Sequence, residues 1–137
     1  MIQDLKAIIS RAATDQTGSI DRYYYNTRPQ KKNSVDIFPY VTYYLIAETY
    51  GTADSEDLTG DVKLQFNVFS TYKDYGAQCD NILQEVLDYF DTKFLPYANT
   101  SGSVTIISCI RDFTIPAKTP DGIVWQSTVQ YNIKALN

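Results

Sequence analysis

The hydrophobic period changes partway through residues 61–90, and that change restricts the fold more than any other feature of the chain. Val62, Leu64, Phe66 and Val68 fall on one face of residues 61–70, and Lys63, Gln65 and Asn67 fall on the other. Such alternation marks a strand with one face on a core. A short polar turn, residues 71–74, follows. Cys79, Ile82, Leu83, Val86 and Phe90 then recur at helical spacing and form one stripe. Gln78, Asn81, Gln84, Glu85, Asp88 and Asp91 occupy much of the remaining helix surface. A helix with one apolar stripe needs a cover. The alternating strand beside it offers an apolar face, so the two are expected to pack together.

The rest of the chain fits around this unit. Residues 2–13 read as a short helix with Ile2, Leu5, Ile9 and Ala12 or Ala13 on its stripe, ended by 14–19 with Gly18 as breaker. Residues 20–37 read as irregular and polar. Tyr23 to Tyr25 suit a short edge strand, and the basic cluster at 28–32 suits a solvated loop. Residues 39–48 form the first long strand, with Val41, Tyr43, Leu45 and Ala47 on one face and Tyr40, Thr42, Tyr44 and Ile46 on the other. Neither face is fully polar, so both are expected to be covered, one of them by another protein. Residues 49–60 are too long for a tight hairpin turn. Pro96 ends the helical pattern, and 99–103 form a turn cluster.

Residues 104–115 are apolar on both faces, which predicts a strand inside the sheet. Pro120, Asp121 and Gly122 signal a turn. In the last strand Ile123, Trp125, Val129, Tyr131 and Ile133 point one way, and Gln126, Thr128, Gln130, Asn132 and Lys134 the other. The order helix, strand, strand, helix, strand, strand predicts one α+β domain over residues 1–137. Its architecture is a two-layer sandwich, a mainly antiparallel four-stranded sheet with helices packed on one face.

Two groups of residues are candidates for contact with partners. Gln126, Thr128, Gln130 and Asn132 make a polar, uncharged strand face that suits water or a wet protein interface. Asp54, Glu56, Asp57 and Asp61 cluster between two strands and are a candidate partner-contact loop, the plainer reading being a solvated connection. Twelve tyrosines add side chains that favour both strands and protein contacts. Trp125 invites a reading as a ligand platform, but its place on an alternating strand favours the core.

The chain offers little for catalysis. It has no His, which removes the commonest general base, the usual triads and most zinc sites. No Gly-rich phosphate loop is present. Cys79 and Cys109 have no metal spacing and read as small buried hydrophobes. Asp80, Asp88 and Asp91 share a helix face with Gln84, as solvated carboxylates do. No catalytic, cofactor-binding or metal-binding residue is therefore assigned. The net charge of −4 argues against a DNA-binding module, yet suits an acidic lining past which DNA moves without sticking. The first residues lack the pattern of a signal peptide, and no stretch is long and apolar enough to span a membrane. A soluble protein made in the cytoplasm, with no membrane partner, is expected.

Three segments carry a resemblance. Phe38 to Val41 opens a long strand after an irregular arm. Val62 to Ser70 leads through Thr71 and Tyr72 into a helix ending at Tyr89, Phe90 and Asp91. Asp121 to Trp125 leads into Val129 to Tyr131. In order, spacing and total length the chain resembles the tail-terminator, or tail-completion, proteins of long-tailed bacteriophages, some of which are described as head-to-tail joining proteins. The likeness runs from the first helix to the last strand. Residues 20–37 and 51–60 are long against the family's pattern, so its contact loops are not carried over.

The resemblance implies a homo-oligomeric ring, typically a hexamer, that caps the tail tube, stops its polymerisation and offers a surface for head attachment. Its partners would be the tail-tube protein and the head-connector protein, with DNA passing through the channel without specific binding. It would reside in the virion, at the head-proximal end of the tail, after assembly in the host cytoplasm. The family has no catalytic motif. Alternative readings are another head–tail connector or tail-tube subunit, a small ligand-binding α+β domain with Trp125 and tyrosines lining a pocket, and an enzyme using carboxylates alone.

Overall fold

In a computed structural model, residues 2–16, 23–25, 38–50, 59–100 and 105–136 are described. The elements are α1 (Ile2–Gln16), β1 (Tyr23–Tyr25), β2 (Tyr40–Tyr50), β3 (Thr59–Ser70), α2 (Ala77–Phe90), α3 (Phe94–Thr100), β4 (Thr105–Lys118) and β5 (Trp125–Leu136). The sheet order is β1-β2-β3-β5-β4. The four long strands are antiparallel, and β1 adds a fifth, parallel to β2 at the edge. This is the expected α+β architecture, with helices against an antiparallel sheet.

The core forms where the sequence places its alternation. Val62, Leu64, Phe66 and Val68 are buried, together with Val129, Tyr131 and Ile133 of the neighbouring strand. The α2 stripe covers them. Phe90 stacks on Phe94 with ring centroids 4.8 Å apart and lies 4.7 Å from Phe66 and 5.8 Å from Tyr131. Leu5, Ile8, Ile9 and Ala12 of α1 join the same cluster, so the stripe of that helix includes Ile8 as well as the expected Leu5 and Ile9. Burying several large side chains of this kind supplies the main driving force for folding, about 1.5–3 kcal/mol each.

Hydrogen bonds fix the helices on the sheet. Tyr131 Oη donates to Asp91 Oδ1 at 2.9 Å, and Arg111 Nη2 lies 3.5 Å from Asp91 Oδ2. The carboxylate just past α2 therefore ties that helix end to both β4 and β5. Near the other end of α2, the buried thiol of Cys79 donates to the Val68 carbonyl at 3.1 Å, and its Sγ lies at the same distance from Ser127 Oγ. Asn99 of α3 acts as a surrogate strand. Its Oδ1 accepts the Ile106 N–H at 2.7 Å and its Nδ2 donates to the Ile106 carbonyl at 3.0 Å. Both cysteines are free thiols.

Several expectations change. First, among the described residues β4 pairs only with β5 and is an edge strand, not an interior one. Its apolar residues do not report cover on both faces, because three register shifts break its alternation and leave Ile107, Ile110 and Phe113 exposed. Second, Pro96 does not end the helical region. The turn at 91–93 ends α2, and Pro96 sits in the first turn of α3, where a missing N–H leaves no intrahelical bond unmade. Third, β2 and β3 are longer than the periodicity indicates. Past a bulge between Ala47 and Thr49, Thr49 pairs with Asp61 and Tyr50 with Gly60. Ile123 lies before β5 and is exposed, so the inward face of that strand starts at Trp125, which packs half-buried at the margin of the core.

Phe66 is fully buried against Tyr43, Phe90 and Tyr131. Phe66→Ala should lower the unfolding free energy by about 3–5 kcal/mol. A loss below about 1 kcal/mol in urea titration would place Phe66 outside the core.

Burial also makes the fold sensitive to alkali. It pushes the Cys109 thiol from 9.0 to about 12 and the Tyr89 phenol from 10.0 to about 12, and it raises Tyr131 too, helped by the bond to Asp91. Each group is neutral in the folded chain at a pH where the unfolded chain is ionised. Their contribution is complete below pH 9.0 and is lost progressively as pH rises towards about 12. Urea midpoints should therefore be flat up to pH 9.0 and fall above it, with a shallower initial fall in Cys109→Ala. A midpoint unchanged through that window would contradict this account.

Candidate interaction surface

Among the described residues the helices pack on one face of the sheet, and the other face carries side chains from all four long strands. Register aligns these side chains in rows. Thr42, Asn67, Thr128 and Ile115 form one row, Tyr44, Gln65, Gln130 and Phe113 the next, and Ile46, Lys63, Asn132 and Ile110 a third. In each row the two middle strands contribute polar side chains, and the outer strands contribute mostly apolar or aromatic ones. The face therefore has a polar stripe along β3 and β5 between apolar margins on β2 and β4. Ile110 is 63% exposed, Ile46 43% and Phe113 41%.

The polar stripe is tied together internally. Asn67 Oδ1 accepts from Thr128 Oγ1 at 2.8 Å, from Gln65 Nε2 at 3.1 Å and from Gln126 Nε2 at 3.4 Å. Asp112 Oδ2 accepts from Lys63 Nζ at 2.9 Å and from Gln130 Nε2 at 3.2 Å. The bond from Lys63 holds the Asp112 carboxyl below its ordinary range. The charges on this part of the face thus meet each other, and most of the stripe presents amides and hydroxyls in fixed positions. Among the described residues, Asn132 Oδ1 and Asp61 Oδ1 are buried acceptors without a hydrogen-bond partner.

The sequence-predicted residues divide between places. Gln126, Thr128, Gln130 and Asn132 are together on this face, as their alternation requires. Asp61 also lies here, within β3 and opposite Lys134, not in a projecting loop as expected; the longer strand pairing draws it into the sheet. Asp54, Glu56 and Asp57 lie outside the described residues. Asn67 and Asp112 were missed as organisers. Asn67 had a signal, because it shares the polar face of the strand 61–70. Asp112 had none, because its position depends on the register shift between Arg111 and Phe113.

The thiols of Cys79 and Cys109 belong to the opposite, helix-covered side, and burial raises both above the ordinary thiol range, which keeps them protonated at neutral pH. Among the described residues no group of three or more His, Cys, Asp or Glu could hold a metal ion, and no helix is long and apolar enough to cross a membrane. What the face offers is a broad array of neutral donors and acceptors framed by isoleucine and aromatic side chains. Protein interfaces have this composition, depleted of unpaired charge at the centre and enriched in aromatic residues. No protein-family model matches the chain, and no curated protein matches it.

Asn67 is the keystone of the stripe. Asn67→Ala removes the acceptor of three donors in a position that is almost fully buried, and should cost about 1–3 kcal/mol in unfolding free energy. Loss of less than about 0.5 kcal/mol would show that those donors are equally well served by water.

Proposed function

We propose that the protein is a structural subunit of a bacteriophage tail, a terminator that assembles as a ring on the finished tail tube and provides the surface to which the head attaches. The open face of the sheet carries this reading. A sheet covered on one side and presenting neutral polar rows between exposed Ile46, Ile110 and Phe113 on the other fits a subunit made to be covered by protein. The resemblance in Phe38 to Val41, Val62 to Asp91 and Asp121 to Tyr131 supplies the kind of assembly. A subunit in a closed ring meets its neighbours through two different surfaces. The rows across β2, β3, β5 and β4 offer one of them.

On this reading the protein catalyses nothing, binds no cofactor and lets DNA pass. Its work is to end one polymer and begin a joint. Deletion of its gene should leave heads and tails made but unjoined, with tails of irregular length, in electron micrographs of lysates. Tails of normal length attached to heads would overturn the proposal. Loss of tails altogether would favour a tube subunit instead. At the level of the face, Ile110→Asp combined with Phe113→Asp should leave the fold within about 0.5 kcal/mol of the parent, since both residues are exposed. The same pair should prevent ring formation in sedimentation velocity, or capping of purified tubes if the free chain is a monomer.

A further inference from the structure

Among the described residues, positive φ angles fall in two turns. Tyr75 (59°) and Gly76 (84°) stand between β3 and α2, and Gly122 (76°) stands between β4 and β5. The first turn is closed in. A side chain on Gly76 would meet Ala117 Cβ at 2.6 Å and the Trp125 ring at 2.8 Å, while Tyr72 and Tyr75 are exposed around it. The second turn is open. A side chain on Gly122 would meet nothing within 4 Å, and Asp121 and Ile123 on either side are exposed.

Asp121 and Gly122 form the chain's single Asp-Gly pair, and the chain has no Asn-Gly pair. An aspartate before glycine has a covalent chemistry of its own. The glycine nitrogen, with no side chain beside it, attacks the side-chain carboxyl carbon of the aspartate. A C–N bond forms, the C–OH bond breaks, and the hydroxyl leaves as water with the proton of the nitrogen. The product is a five-membered succinimide. Water then opens the ring at either carbonyl. One opening restores the aspartate. The other leaves the main chain running through the former side-chain carboxyl, as isoaspartate. The water released in the first step is taken up in the second, so the residue keeps its composition and no other reactant is needed.

Two features of the fold oppose the first step at Asp121. The first is geometric. Asp121 Oδ1 accepts the N–H groups of Ile123 and Val124, each at 2.9 Å, and Thr119 Oγ1 lies 3.4 Å away. These bonds close a loop across Gly122. The succinimide ring forms only where the glycine nitrogen eclipses the aspartate Cβ, outside the broad allowed backbone regions. A free chain samples that arrangement, and a turn tied on both sides of the glycine does not. The second feature is the protonation state. The departing hydroxyl exists only on the protonated carboxyl. The N–H groups of Val124 and Ile123 hold the Asp121 carboxyl below its ordinary range, so the reactive form is scarce.

We propose that Asp121–Gly122 is a site of spontaneous conversion to isoaspartate, held shut in the folded protein by the bonds that the Asp121 carboxylate accepts from Ile123 and Val124. In the folded chain the reaction proceeds only through openings of the connection between β4 and β5. Conversion outlasts the opening. It adds one carbon to the main chain and moves the carboxylate, so the acceptor for Ile123 and Val124 is displaced and the turn no longer closes as before. The site depends neither on a ring nor on the open sheet face.

The test is to incubate the whole protein at neutral pH, folded in buffer and unfolded in guanidinium chloride, and to digest samples with trypsin over time. Cleavage after Lys118 and Lys134 releases residues 119–134, which contain the pair. Isoaspartate leaves the mass of this peptide unchanged but shifts its chromatographic retention, and electron-transfer fragmentation identifies it. The isomer should accumulate at least about tenfold faster in the unfolded chain than in the folded one. Gly122→Val should suppress it in the unfolded chain, because a branched side chain shields the attacking nitrogen. Ile123→Pro removes one of the two donors and should speed conversion in native buffer, with circular dichroism showing the variant folded. Equal rates in the folded and unfolded parent overturn the proposal. So does an unfolded chain that gives no isoaspartate at residue 121, or a folded Ile123→Pro variant that converts no faster than the parent.

Discussion

The ring of Phe90 is the contact on which the rest of the structure depends. It is the last residue of α2 and it touches three parts of the fold at once: Phe66 on β3, Tyr131 on β5 and Phe94 at the start of α3. The next residue, Asp91, takes the Tyr131 hydroxyl hydrogen bond and faces Arg111 of β4. One end of a helix thereby joins three strands and a second helix. The apolar stripe supplies the area, and Phe90 with Asp91 supplies the register, because a helix slid by a turn would lose both the ring cluster and the hydrogen bond. The opposite end of α2 is fixed by different means, the Cys79 thiol on the Val68 carbonyl and Gly76 against Trp125.

Placing the helices on one face of the sheet leaves the other to be stabilised without a core. Its central strands do this with side-chain hydrogen bonds. Asn67 gathers three donors and Asp112 gathers two, so each of those polar groups is satisfied without a partner protein. The apolar residues are kept to the outer strands, where they remain partly open. A patch arranged in this way is soluble as a free surface, because its centre resembles hydrated surface. It is also ready to be covered, because its margins gain from losing water. The long edge of β4 is a hazard in an exposed sheet. Three register shifts, Pro116 and the side chain of Asn99 at Ile106 each interrupt the row of free backbone groups that would template indiscriminate pairing.

Legibility in the sequence followed the range of the interactions. The strand at 61–70 and the helix that follows were plain because their periodicity is written in consecutive residues and both elements are regular. The face of Gln126, Thr128, Gln130 and Asn132 was plain for the same reason. The position of β4 was not. Its apolar residues look like those of a doubly covered strand, and only its pairing partner and its register shifts reveal an edge. Asp112 became an organiser of the open face through one of those shifts, an event with no local signature. Asp61 looked like part of a loop because acids and glycine surround it in sequence, yet pairing with Thr49 and Lys134 places it in the sheet. The left-handed pair Tyr75 and Gly76 was half legible: glycine before a helix is an ordinary breaker, but nothing local marks the tyrosine as left-handed.

The open face and the aromatic end where β3 passes into α2 differ in how each is built. The face is wide, nearly neutral and set on four strands, so it can meet another broad surface but discriminates little by charge. The end is small, and it is set on two turns pinned by Gly76 and by Asp121. Both surfaces are carried by the same strands, since β3 and β5 run from the open face directly into the turns that hold Tyr75 and Ile123. At the turn after β3, Ala117 and the Trp125 ring leave no room for a side chain on Gly76, so the backbone there lies directly against β4 and β5.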